Sequence, residues 1–194
     1  YAPVGGVPPF SPSRRIRDKK AEGLKLIVAD PRESDVARLA DIYLPVKPGE
    51  DPAMLAGMLN VIISEGLYDR NFVAAHVDGF DELAEAVKAF PPEVAAARAG
   101  LDKDQLIAAA RMFAGGTKGC ATTGTGPEMA GHGTLTEYLV VCLNTICARF
   151  KQEGEKAAIP GVFSPYQNAR RAQVGPPVPM FGAEGMPKSR FRGL

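Results

Sequence analysis

Asp30 and Arg32 stand two residues apart at the end of an apolar run, in the order Leu26-Ile27-Val28-Ala29-Asp30-Pro31-Arg32. A short, continuous run rich in Ile and Val reads as a strand buried on both faces. Pro31 cannot donate to a ladder, and it holds the residue before it out of the helical region. The carboxylate is therefore expected at the carboxyl end of a buried strand, with the guanidinium just beyond. In open α/β sheets, ligands bind outside that end of the strands. An aspartate there can accept from ribose hydroxyls or from the N–H edge of guanine, and an arginine can pair with phosphate or stack on a base. The same residues also fit a plain helix N-terminal turn with Asp30 salt-bridged to Arg38.

A second group is Gly124-Thr125-Gly126-Pro127-Glu128-Met129, with Gly131, His132 and Gly133 following. Glycine-rich loops between strand and helix let the backbone approach a ligand and aim N–H groups at it. This loop is not a Walker motif, since no GK[ST] follows, and Met129 stands where a GxGxxG would have its last glycine. His132 is expected in a capping or surface role, and His76 as a packed or surface histidine. Cys120, Cys142 and Cys147 are odd in number and have no CxxC spacing. Cys142 and Cys147 read as small core residues, and a reducing compartment, the cytoplasm, is expected. No residue reads as a catalytic acid or nucleophile.

These groups need elements to hold them. Residues 1–12 read as loop, and residues 13–23 as a short basic helix closed by Gly23. After the first strand, residues 33–40 predict a short helix capped by Ser34 or Asp35. Residues 42–46 predict a second strand ended by Pro48-Gly49, which completes a compact βαβ unit. Asp51 as N-cap and Pro52 at the first position then open a long helix to about Glu65, stopped by Gly66. The acidic pair Glu50-Asp51 argues against phosphate at its start and for hydroxyl or amide donors. Residues 68–113 predict four helices, begun by Asp69, Gly79, Pro91-Pro92 and Asp102. Residues 118–124 predict a third strand, and residues 135–150 a helix. Beyond residue 150 the chain is rich in Pro and Gly without helical period, so residues 151–194 read as an extended tail or linker.

With 194 residues the chain is long enough for one sizeable core. A formal net charge of +1 gives no global field to draw in nucleic acid or an anionic membrane. No apolar run approaches the roughly 20 residues that span a bilayer. Nor does the Pro- and Gly-rich start read as a signal peptide.

Taken in order, these pieces resemble the third domain of the molybdopterin oxidoreductases of the dimethyl-sulfoxide-reductase and formate-dehydrogenase type. The family pattern is an apolar strand ending in DPR, a Thr-Ala-x-x-AD segment, a PGTD turn, a long helix and an LYDxxFV motif. Here those are Asp30-Pro31-Arg32, Ala37 to Asp41, Pro48 to Asp51, and Leu67 to Val73. The chain departs from the family at Glu50, which replaces its Thr, and at Met129, which stands where Gln is common.

The resemblance implies an α/β fold: a Rossmann-like, open, mostly parallel sheet with many flanking helices over residues 13–150, lacking its first strand. It implies a cofactor, bis(molybdopterin guanine dinucleotide) with molybdenum or tungsten. Ala29, Asp30 and Arg32, with Gly49 and Asp51, would hold one guanosine end. Gly124, Gly126 and Met129 would belong to the loop under the pterin and pyrophosphate. The metal ligand and the iron–sulfur domain lie elsewhere in the family, so this chain is expected to be a piece or subunit of a larger enzyme. Its partners would be the remaining domains, without nucleic acid and without a membrane span, and homo-oligomerisation stays open. The alternative is a noncatalytic module of the same descent that binds a nucleotide or a partner. An NAD-type Rossmann domain ranks last, because no GxGxxG follows the first strand. Substrate and electron partner are not readable from these residues.

Overall fold

The computed structural model describes residues 12–150, so the expected loop at residues 1–12, except Pro12 which begins a helix, and the expected tail at residues 151–194 lie outside the described residues. Eight helices and two strands follow one another among them. The basic helix α1 (Pro12–Ala21) leads through Gly23, at φ +102°, into β1 (Ile27–Ala29). β1 pairs in parallel with β2 (Ile42–Leu44), in the register Ile27 to Ile42, Val28 to Tyr43 and Ala29 to Leu44. The link between them is a single 3-10 turn, Ala37–Leu39, in place of the expected helix over residues 33–40. The Ser34 hydroxyl accepts from the Ala37 N–H at 3.3 Å, which satisfies the first donors of one turn and goes no further. The chain must then extend again within a few residues to pair β2.

The core is built around α2 (Asp51–Ser64). Met54, Leu55, Met58, Leu59, Val61 and Ile62 are all buried, so this helix is apolar on nearly every side and lies at the centre. It packs against α4 (Phe80–Val87), α5 (Pro92–Ala99), α6 (Lys103–Gly115) and α8 (Gly133–Ile146). A short α3 (Arg70–His76) joins α2 to α4. The punctuation read from sequence holds along this stretch. Asp69 accepts from the Phe72 N–H at 2.9 Å, and Asp102 accepts from the Gln105 N–H at 2.8 Å. Gly66 and Gly79 have positive φ at helix ends, as does Gly100, which the sequence reading did not single out. Asp51, in contrast, is the first helical residue and not the N-cap, which is Glu50.

α2 and α5 meet closely at Gly57, where an added Cβ would lie 2.5 Å from the Ala95 Cβ and 3.0 Å from Leu106 Cδ2. Ala95 and Leu106 are fully buried and cannot retreat. We expect Gly57→Val to cost about 2 kcal/mol, the overpacking loss exceeding any gain in helix propensity. Urea unfolding followed by circular dichroism would measure it; an unchanged midpoint would contradict this packing.

Two expectations about the sheet are corrected. Residues 118–124 form no strand, so the sheet among the described residues has two strands and not an open array. β1 is also not buried on both faces: Ile27 and Val28 are half-buried, and Ala29 is exposed. With β2 along one edge only, few side chains cover it. The fold is α/β in the coarse sense, a small parallel pair set against a bundle of helices.

Candidate functional site

Because β1 and β2 are parallel neighbours in register, their carboxyl ends point the same way. The segment after β1 carries Asp30 and Arg32; the segment after β2 carries Gly49 and Asp51. The fold thus sets Asp30 and Arg32 in the segment that leaves β1, and Gly49 and Asp51 in the segment that leaves its parallel neighbour. This is the crevice position favoured for ligands in α/β folds.

Asp30 sits where Pro31 was expected to hold it. Its N–H donates to the Leu44 carbonyl at 3.2 Å, extending the ladder by one bond, and its Oδ1 accepts from the Arg32 N–H at 2.8 Å. This local turn fixes the carboxylate through Oδ1. The alternative, a salt bridge to Arg38, does not form: Arg38 pairs with Asp35 at 3.3 Å. Tyr43 was not anticipated. Its hydroxyl donates to the Asp30 carbonyl at 2.9 Å, and burial, then the charges of Asp30 and Glu33, push its ionisation up. The register, which sets Tyr43 opposite Val28, is the signal that could have found it. Arg32 is exposed and among the described residues makes no ion pair, so its guanidinium is available to an anion.

The other half of the crevice is strapped to α5. The Lys47 N–H donates to the Ala99 carbonyl at 2.9 Å, and Arg98 Nε meets Glu50 Oε2 at 2.6 Å. Gly49 turns the chain at φ +85°, a conformation that favours glycine. Asp51 is half-buried, and that burial holds its carboxyl above the usual range. Ala29 contributes backbone and an exposed methyl next to Asp30.

The amino end of β1 is anchored by Asp41. Its Oδ2 accepts from the Leu26 N–H at 2.8 Å and from Lys20 Nζ at 2.6 Å, with Lys25 at 3.6 Å from Oδ1. The Lys20 bond first, and the Leu26 N–H next, hold this carboxyl below its usual 3.8. A lowered folded-state pKa means stability that is present above the unfolded value and lost as pH falls through the folded one. The wild type should therefore melt above Asp41→Asn at about pH 7, and the gap should close at about pH 2. Calorimetry at the two pH values checks it; a gap that widens in acid would contradict the assignment.

Gly124, Gly126 and Met129 stand apart from this crevice, and no described hydrogen bond or ion pair joins them to it. The expected glycine loop is a short helix, α7 (Thr125–Met129), between the extended residues 117–124 and α8. α7 packs against the start of α8, and Met129 is 81% exposed. Glu128, His132, Leu135 and Tyr138 border an open groove of about 630 Å³ beside it. His132 is exposed and precedes α8; its carbonyl accepts from the Thr136 N–H and hydroxyl, while its ring makes no cap. His76 is exposed against the Phe72 ring, and Cys142 and Cys147 are buried. Burial pushes the Cys147 thiol up to about 11. Among the described residues no group of three His, Cys, Asp or Glu could hold a metal ion.

Comparison with known proteins bears on what this arrangement serves. No family model matches the chain. It is 30% identical over 181 residues to the thiosulfate reductase molybdopterin-containing subunit PhsA of Salmonella typhimurium, covering 91% of this chain and 23% of that protein. It is 38% identical over 102 residues to formate dehydrogenase H of Escherichia coli, covering 53% and 14%. The acetylene hydratase structure from Pelobacter acetylenicus superposes with a TM-score of 0.67 at 37% identity, over 70% of this chain and 19% of that one. The chain belongs to the molybdopterin oxidoreductase family, of the dimethyl-sulfoxide-reductase and formate-dehydrogenase type. It spans a quarter or less of the length of the curated family members it matches. In this family member, no described helix is long and apolar enough to cross a membrane.

Proposed function

We propose that this chain is a segment of a molybdenum- or tungsten-dependent oxidoreductase, and that it binds the guanosine and pyrophosphate arm of a bis(molybdopterin guanine dinucleotide). The observation that carries this is the parallel pair with Asp30 and Arg32 beyond one strand and Gly49 and Asp51 beyond the other. The donor set fits the group. The Asp30 carboxylate suits the N–H edge of guanine or ribose hydroxyls, and the Arg32 guanidinium, which makes no ion pair among the described residues, suits phosphate. Asp51, half-buried at the helix start, offers carboxylate oxygens that suit the hydroxyls of such a ligand. Ala29 lets a base approach the strand end without obstruction.

The comparisons support binding as the segment's role. One related stretch recurs in proteins named as a formate dehydrogenase, a thiosulfate reductase and an acetylene hydratase. What such different reactions share is a cofactor, so a common stretch is expected to hold it, not to choose the substrate. The bound metal-pterin group would supply the redox or Lewis-acid chemistry. This chain's residues would fix its nucleotide end, with the two strands taken as one edge of a Rossmann-like sheet continued by other segments. Those segments would bring the metal ligand and an iron–sulfur domain. Cytoplasmic location fits three free cysteines.

Gly126 offers a test that separates fold from function. An added Cβ there meets nothing within 4 Å, so Gly126→Val leaves the packing intact. If the Gly124–Met129 stretch lies against the pterin and pyrophosphate, the same side chain occupies ligand space. We expect an unchanged melting temperature in the cofactor-free protein and guanine nucleotide retained on purification reduced about tenfold. Full retention in a folded Gly126→Val protein would contradict that placement.

A further inference from the structure

The stretch leading into α7 lacks a sheet neighbour among the described residues, yet the backbone of Ala121 within it is fully paired. The Ala121 N–H donates to Asn144 Oδ1 at 2.8 Å, and Asn144 Nδ2 donates back to the Ala121 carbonyl at 2.9 Å. That reciprocal pair is the bond pattern a neighbouring strand would give, supplied by one side chain of α8. The second Nδ2 hydrogen goes to the Val140 carbonyl at 3.0 Å, so both amide hydrogens are used and the amide can face only one way. Two residues on, the Thr123 hydroxyl donates to Glu137 Oε1, also on α8, and lies 3.3 Å from Glu128 Oε1.

The spacing shows that these anchors form one device. Glu137 and Asn144 are seven residues apart, two turns on one face of α8 and about 10.5 Å along its axis. Ala121 to Thr123 spans about 7 Å when extended, and the longer glutamate side chain covers the difference. The chain therefore runs antiparallel to α8, toward its amino end, where α7 packs. All four residues are half-buried, so the bonds form where water competes less.

We propose that Asn144 and Glu137 are positioning residues. They fix the path of residues 121–123 in place of a sheet neighbour, and so set where the Gly124–Met129 backbone is presented to its ligand. The ligand half of this inference rests on the cofactor reading above; the positional half does not.

The test is hydrogen exchange on the whole protein, together with its guanine nucleotide content. Asn144→Leu, close in size, should speed exchange across residues 119–124 about tenfold or more, while α2, α5 and α6 keep their protection. Nucleotide retained should fall in parallel. Glu137→Leu should act likewise on residues 122–125, and Glu137→Gln, which still accepts from Thr123, should restore both readouts. If Asn144→Leu does not fold, the Glu137 pair carries the same test. Unchanged exchange over 119–124, or an equal rise across α2, α5 and α6, would overturn the positional assignment. A wild type without guanine nucleotide would instead sink the cofactor reading, while the exchange pattern still decides the role of Asn144.

Discussion

Gly133→Val should lower stability by about 3 kcal/mol and, on the cofactor reading proposed above, reduce the guanine nucleotide retained on purification. Gly133 opens α8 and is buried. A Cβ there would lie 2.8 Å from the Glu128 carbonyl carbon and closer still to its oxygen. These are backbone atoms, so no side-chain rotation relieves the clash, and α7 as a whole must lift from α8. The damage falls on the stretch that the cofactor reading places under the pterin. Gly115→Val is the matched control, because an added Cβ at that exposed helix end meets nothing within 4 Å. Chemical unfolding and released nucleotide, measured on both variants, should separate them. Equal behaviour would mean that the α7–α8 contact has no part in holding the site.

Leu44→Ala should cost about 3 kcal/mol, which for a domain of this size lowers the melting temperature by roughly 10 °C. Leu44 is 1% exposed, closes β2 and belongs to the core cluster with α2 and α6. Its carbonyl accepts from the Asp30 N–H, and two residues later Val46, also 1% exposed, enters the same core. Both halves of the crevice thus hang on this residue: the Asp30 turn through its backbone, the Gly49–Asp51 turn through its position. A cavity here should loosen both turns. The contrast is Leu106→Ala, equally buried but on α6, against the Gly57 face of α2. It should destabilise by a similar amount and leave nucleotide affinity near normal at temperatures where the protein is folded. Scanning calorimetry gives the first quantity, and titration of the cofactor-free protein with GDP gives the second.

Much of the helical scaffold was legible in the sequence because its signals are local. Asp69 and Asp102 cap the helices that follow them, and Gly66 and Gly79 adopt the positive φ that each helix end requires. The parallel pairing of β1 and β2 was legible for a related reason: Pro31 and Pro48-Gly49 mark both strand ends, and the link is short. Three of the failures have a different origin. Residues 118–124 have a strand-like composition, but what pairs with them is the side chain of Asn144, a partner no periodicity reveals. α7 forms in a glycine-rich stretch because Gly133 lets α8 approach it, a tertiary effect. Residues 33–40 have helical spacing, yet Ser34 caps only one turn before the chain must extend into β2. At the candidate site, Asp30 was legible as an element, but the Tyr43 hydroxyl behind it and the Arg98–Glu50 strap depend on register and on α5.

The most direct measurement is metal and nucleotide analysis of the whole protein purified from its native source. Molybdenum or tungsten would be counted by mass spectrometry and GMP released by acid hydrolysis, both against protein. The account predicts metal together with about two GMP per metal, as a bis(guanine dinucleotide) requires, with GMP lost in proportion in Asp30→Ala and Arg32→Ala. Metal with no guanine nucleotide would contradict the role assigned to the strand ends. A protein that carries neither would leave the noncatalytic module as the reading of this chain.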